Sequence, residues 1–129
     1  SILYSLYSDA IKATNQKYAG KNKLLSEITS YILSHYTEID FSVKDVADYV
    51  GISETHLRRI LKQDFNISPI KYINCLKLDK AKNMLQSSNY TINEIALSVG
   101  YDDPYYFSRV FKREAGLSPS EYKKNNKGF

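Results

Sequence analysis

VKDVADYVGISETHLRRILKQ, residues 43–63, sets apolar Val46, Val50, Leu57 and Ile60 and a small Ala47 at helical spacing on either side of Gly51. Two short helical patterns meet at a glycine, and the second carries paired arginines, Arg58 and Arg59. The arrangement returns further along the chain. FSVKDVADYVGI (41–52) aligns with YTINEIALSVGY (90–101) at an offset of 49, pairing Val46 with Ile95, Ala47 with Ala96 and Gly51 with Gly100. HLRRILKQDFNISP (56–69) aligns with YFSRVFKREAGLSP (106–119) at an offset of 50, pairing Leu57 with Phe107, Arg59 with Arg109 and Lys62 with Lys112. The slip of one residue falls in the turn, where a repeated unit tolerates insertion. One supersecondary unit is present twice.

The boundaries of that unit are written in cap residues. Ser42 and Thr91 precede the first apolar positions, with Asp45 and Glu94 three residues on. T-x-x-E is a capping box and S-x-x-D its weaker relative, so both mark helix starts. Gly51 and Gly100 close the first helix of each copy, and Ser53 and Asp102 are expected to cap the second. Asn66 and Gly116 end those second helices, and Ser-Pro then opens another. Residues 69–87 (PIKYINCLKLDKAKNMLQS), with apolar Ile70, Ile73, Leu76, Ala81, Met84 and Leu85, read as one long helix. At about 1.5 Å per residue it spans roughly 28 Å.

A short helix, a glycine turn and a second helix crossing it describe a helix-turn-helix unit. Stepping about 100° per residue from Leu57 gathers Ile60, Leu61 and Asp64 on one side. Thr55, Arg58, Arg59 and Lys62 fall on the other. In the second copy Phe107, Val110 and Phe111 form the inner stripe, while Tyr105, Ser108, Arg109 and Lys112 face out. Arginine can read guanine O6 and N7 bidentately, hydroxyls serve bases or phosphates, and lysine suits phosphate.

The chain of 129 residues has a net charge of +4, and residues 1–40 are neutral, so the whole excess lies beyond them. Residues 58–82 carry seven basic side chains, Lys77 among them, against Asp64 and Asp79. Such a stripe attracts polyanions, although many charge runs are only solvated faces. A single cysteine, Cys75, excludes an internal disulfide and is read as a packing residue. No apolar run approaches the roughly 18 residues of a membrane span. The cytoplasm is the expected location. His35 and His56 have no metal-ligand partner at helical spacing, no carboxylate pair is set for acid–base work, and no phosphate loop or nucleophile elbow occurs. No enzyme, metal or cofactor is expected.

GYDDPYYFSRVFKREAGLSPSEYKK (100–124) closely resembles the C-terminal signature of the AraC/XylS transcription regulators, and GISETHLRRILKQDFNISPIKYI (51–73) resembles that family's first helix-turn-helix. The likeness covers about residues 23–124. It implies an all-α fold of seven helices, with two helix-turn-helix subdomains joined by a long linker helix. It also implies sequence-specific binding of double-stranded DNA, with two recognition helices in adjacent major grooves. By resemblance the base-reading positions are Thr55, Arg58 and Arg59 in the first unit and Pro104, Tyr105, Ser108 and Arg109 in the second. Pro104 and Tyr105 depart from polar contact residues and point to thymine methyls or DNA shape. Activation is the commoner behaviour in the family, and RNA polymerase is a further candidate partner. The competing reading is a helical protein-interaction module that presents the basic faces to an acidic partner.

The expected organisation is a first subdomain over 23–68, a linker helix over 69–87 and a second subdomain over 88–129. Residues 1–22 hold Ile2, Leu3, Leu6, Tyr7, Ala10 and Ile11 at helical spacing, an amphipathic connector. Ser1 in place of an initiating methionine suggests a longer parent, whose missing N-terminal region would sense an effector or form a homodimer.

Overall fold

The computed structural model describes residues 23–87 and 89–126, and among these it contains seven α-helices and no strand. They are α1 (Lys23–His35), α2 (Val43–Val50), α3 (Glu54–Phe65), α4 (Pro69–Ser87), α5 (Ile92–Ser98), α6 (Pro104–Ala115) and α7 (Pro119–Asn126). The expected connector over residues 1–22 lies outside the described residues. The chain divides into two compact units, the first built from residues 23–36 and 41–75 and the second from 37–40 and 76–126. The division falls within α4, between Cys75 and Leu76.

In the first unit α1 packs on α2 and α2 on α3. Leu25, Ile28 and Ile32 of α1, Val46 and Ala47 of α2, and Leu57, Leu61 and Phe65 of α3 are buried, joined by Tyr72 and Ile73 from α4. Phe65 and Tyr72 stack with ring centroids 5.4 Å apart. Ala47, a small side chain on α2, is buried. In the second unit α5 packs on α6 and α6 on α7. Its core joins Leu78, Ala81 and Leu85 of α4 to Ile95, Ala96, Val99 and Tyr101, and to Phe107, Val110 and Phe111 of α6.

The caps explain why the helices begin where they do. Ser42 and Asp45 form a full capping box: the Asp45 amide donates to Ser42 Oγ at 3.3 Å and the Ser42 amide to Asp45 Oδ2 at 2.9 Å. Thr91 and Glu94 repeat it at 3.1 and 2.9 Å. The Thr91 amide, with the threonine hydroxyl, holds the Glu94 carboxyl below its ordinary pKa. Gly51, at φ +79°, ends α2, and both the Gly51 and Ile52 amides donate to the Ala47 carbonyl. Asn66 and Gly116 take left-handed φ of 59° and 83° at the ends of α3 and α6.

Three expectations are corrected. Asp103, not Asp102, caps α6: its carboxylate accepts from the amides of Tyr105 at 2.9 Å and Tyr106 at 3.3 Å. The offset of 50 pairs Asp103 with Ser53, so the inserted residue lies before the cap rather than after it. Ile70 is 55% exposed because it stands one residue off the stripe of Pro69, Tyr72, Ile73 and Leu76 that the first half of α4 buries. Lys77 leaves the basic stripe altogether, since it is only 6% exposed.

Candidate nucleic-acid interface

In each unit the second helix of the pair turns its apolar stripe inward and leaves a polar face open. On α3, Leu57, Leu61 and Phe65 are buried, whereas Thr55, Arg58, Arg59 and Lys62 are exposed. The spacing does this: residues 57, 61 and 65 recur every four positions, and the intervening ones rotate to the far side. Ser53 accepts from the His56 amide at 3.0 Å and fixes the first turn of that face. Arg58 approaches Glu54 at 4.0 Å, an exposed pair too weak to restrain it.

The α6 face is chemically different. Phe107, Val110 and Phe111 are buried, with Phe107 and Phe111 rings 5.8 Å apart. Arg109 and Lys112 are exposed and Pro104 and Ser108 half-buried. Tyr105, at 82% exposure, is the most open of the large apolar side chains among the described residues and lies in the first turn. Tyr106, 45% exposed, holds its ring 5.8 Å from the Arg109 guanidinium carbon, a cation–π contact on the helix surface. Asp103 occupies two of the first amides of α6, so that helix end offers an anion less than its dipole alone would. The first two turns of α3 therefore present a hydroxyl and two arginines, and those of α6 two tyrosines and one arginine.

All nine residues singled out from the sequence lie on these two helices: Thr55, Arg58, Arg59 and Lys62 on α3, and Pro104, Tyr105, Ser108, Arg109 and Lys112 on α6. Each unit brings its own set to one helix face. Sequence reasoning did not single out Tyr106 as the support of Arg109, although the i, i+3 spacing on one helix signals it. Lys77 gave no such signal, because only tertiary packing buries it. Among the described residues no three His, Cys, Asp or Glu side chains gather as a metal site. His35 belongs to an aromatic cluster, 4.3 Å from Tyr31, whose ring stacks at 4.0 Å on Tyr49.

A family model described as a helix-turn-helix domain matches residues 46–125. The chain is 34% identical to the raffinose operon transcriptional regulatory protein RafR of Pediococcus pentosaceus, over 97% of this chain and 46% of that protein. It is 30% identical to the arabinose operon regulatory protein of Escherichia coli (strain K12), over 95% and 42% respectively. It thus spans less than half the length of either regulator. Among solved structures, the C-terminal domain of AraT, a response regulator from Geobacillus stearothermophilus, is similar with a TM-score of 0.77 and 34% identity, over 80% of this chain and 85% of that one. The DNA-binding domain of the global transcriptional factor AdpA, solved in complex with a target DNA, is similar with a TM-score of 0.73 and 25% identity, over 78% and 90%.

Proposed function

This chain belongs to the AraC-type helix-turn-helix family of transcription regulators, and from that premise we propose that α3 and α6 are its two recognition helices, reading a two-part site on double-stranded DNA in successive major grooves. The observation that carries the reading is the duplicated, capped helix pair whose outward faces hold Arg59 and Arg109 at equivalent positions. A protein partner has no reason to require the same residue in both copies. Thr55, Arg58 and Arg59 on α3, and Tyr105, Ser108 and Arg109 on α6, take the base edges, with Pro104 shaping the first turn of α6. Lys62 and Lys112, one turn or less further along, take phosphate.

In the parent protein, residues 1–22 connect this DNA reader to an N-terminal sensing or dimerising domain, with a second copy and RNA polymerase as further partners. The greater length of the relatives supports that organisation. The first subdomain over 23–68, the linker helix over 69–87 and the second subdomain over 88–129 belong to the same proposal, as does its place in the cytoplasm. No helix among the described residues is long and apolar enough to cross a membrane.

The test is fluorescence-anisotropy binding to a duplex selected from random sequence and to its scrambled counterpart, across a salt series. The selected duplex is expected to bind at least about a thousandfold more tightly, and the scrambled one to weaken steeply with salt. Equal, weak binding to both would defeat the reading and favour a helical interaction module.

The first turn of α6 makes a narrower prediction. Tyr105 has no charged donor to offer a base, but its ring matches the thymine 5-methyl group. Replacing thymine by deoxyuridine under α6 is expected to cost about 0.8 kcal/mol per contacted methyl, roughly fourfold in affinity. Tyr105→Ala should abolish that difference. A site indifferent to the methyl in the unsubstituted protein would show that Tyr105 does not read it.

A further inference from the structure

Lys77 is the one described basic side chain that lies inside the protein. Its ammonium sits 3.4 Å from the carbonyl oxygen of Gly100 and 4.8 Å from the centre of the Tyr101 ring. Burial lowers its pKa, as expected when an ammonium loses water. An unbranched apolar chain such as methionine would fill the same space without that desolvation cost. Partial compensation comes from two contacts, a long hydrogen bond from the ammonium and a cation–π interaction, both made to the turn between α5 and α6.

That turn is held from a second side. Gly100 has φ +97°, and a Cβ placed on it would lie 3.0 Å from the Thr37 carbonyl oxygen and 3.2 Å from that of Glu38. Gly100 is thus packed against the backbone of Thr37 and Glu38 and its carbonyl faces the Lys77 ammonium, with the Asp103 cap and α6 following within four residues. The matching turn of the first unit is free of such packing: Gly51 is exposed, and a Cβ there would meet nothing within 4 Å.

We propose that Lys77 is a positioning residue for DNA recognition, holding the Gly100 carbonyl and the Tyr101 ring so that α6 leaves its turn in one orientation. The inference rests on the reading of α6 as a recognition helix. Without the anchor, the turn would populate the binding-competent orientation only part of the time, and apparent affinity falls in proportion to that fraction. Lys77 itself is too deeply buried to touch a phosphate.

The test uses the whole chain with Lys77→Met, followed by circular dichroism on heating and by anisotropy on selected and scrambled duplexes across a salt series. The expected result is a melting temperature equal to or above that of the unsubstituted chain, with specific affinity reduced about tenfold, the equivalent of one charge-assisted hydrogen bond. Affinity for the scrambled duplex and the salt dependence should not change. Undiminished specific affinity overturns the proposal. So does a loss accompanied by a salt slope smaller by about one, which would make Lys77 a phosphate contact. If the variant melts lower, binding is measured at a temperature where it is wholly folded, under the same criteria. If it does not fold, Lys77→Leu, an apolar side chain with no donor, takes its place under the same criteria. Failure of the DNA reading itself is separately visible, because the unsubstituted chain would then bind both duplexes alike.

Discussion

Gly100→Ala is expected to destabilise the second unit by about 2–5 kcal/mol, whereas Gly51→Ala should cost the first only about 1–2 kcal/mol. Both glycines are left-handed, at φ +97° and +79°, and both lie in the turn that follows the first helix of a helix-turn-helix pair, so the shared part of the cost is the steric strain of a Cβ in that conformation. The difference is what surrounds them. At Gly100 the added Cβ meets the Thr37 carbonyl oxygen and carbon at 3.0 and 3.1 Å and the Glu38 carbonyl oxygen at 3.2 Å. These are backbone atoms that no rotamer change can move aside. At Gly51 it meets nothing within 4 Å. Urea unfolding of the two variants, followed by amide hydrogen exchange resolved to each unit, measures both costs. A domain's total stability is commonly about 5–15 kcal/mol, so the larger loss would leave α6 without a settled platform. Equal losses at the two glycines would mean that segment 37–40 does not seat the second turn.

Removing both exposed arginines, Arg59 and Arg109, is expected to cost more still on DNA. Arg59→Ala and Arg109→Ala should each weaken specific binding by about 1–3 kcal/mol and relax preference at one base pair. The two residues stand in different units and share no partner, so the double variant should lose about 2–6 kcal/mol by simple addition. Anisotropy on the selected duplex reads the sum, and single-base variants of that duplex identify the position each arginine reads. A loss of equal size on scrambled DNA would reduce both residues to phosphate contacts.

What could be read in the sequence was what short stretches of chain decide for themselves. The capping boxes Ser42–Asp45 and Thr91–Glu94, the left-handed stops at Gly51, Asn66 and Gly116, and the inward stripes Leu57–Leu61 and Phe107–Val110–Phe111 all depend on residues within one or two helical turns. Their spacing fixes which side chains share a face before any tertiary contact forms. The repeat then showed that the same unit occurs twice, and the arginines and lysines on its outer faces gave the candidate interface.

One error was local: Asp102 and Asp103 are both cap residues, and Pro104 at the start of α6 marks the residue before it as the cap. Another lies where distant residues compete. Lys77 looked like one more surface cation, because charge counting assumes water around every lysine, and only the fold of the second unit brings Gly100 and Tyr101 to it from 23 and 24 residues away. The need for glycine at position 100 was legible as a turn. That no side chain fits there was not legible, because the obstructing carbonyls of Thr37 and Glu38 belong to a segment more than sixty residues earlier. The sequence by itself determined the helices, their faces and the duplication, since local sterics, capping and the helical period act along the chain. Tertiary structure alone decided which charge is buried and which turn is packed against distant backbone, since these depend on contacts between residues that only folding brings together.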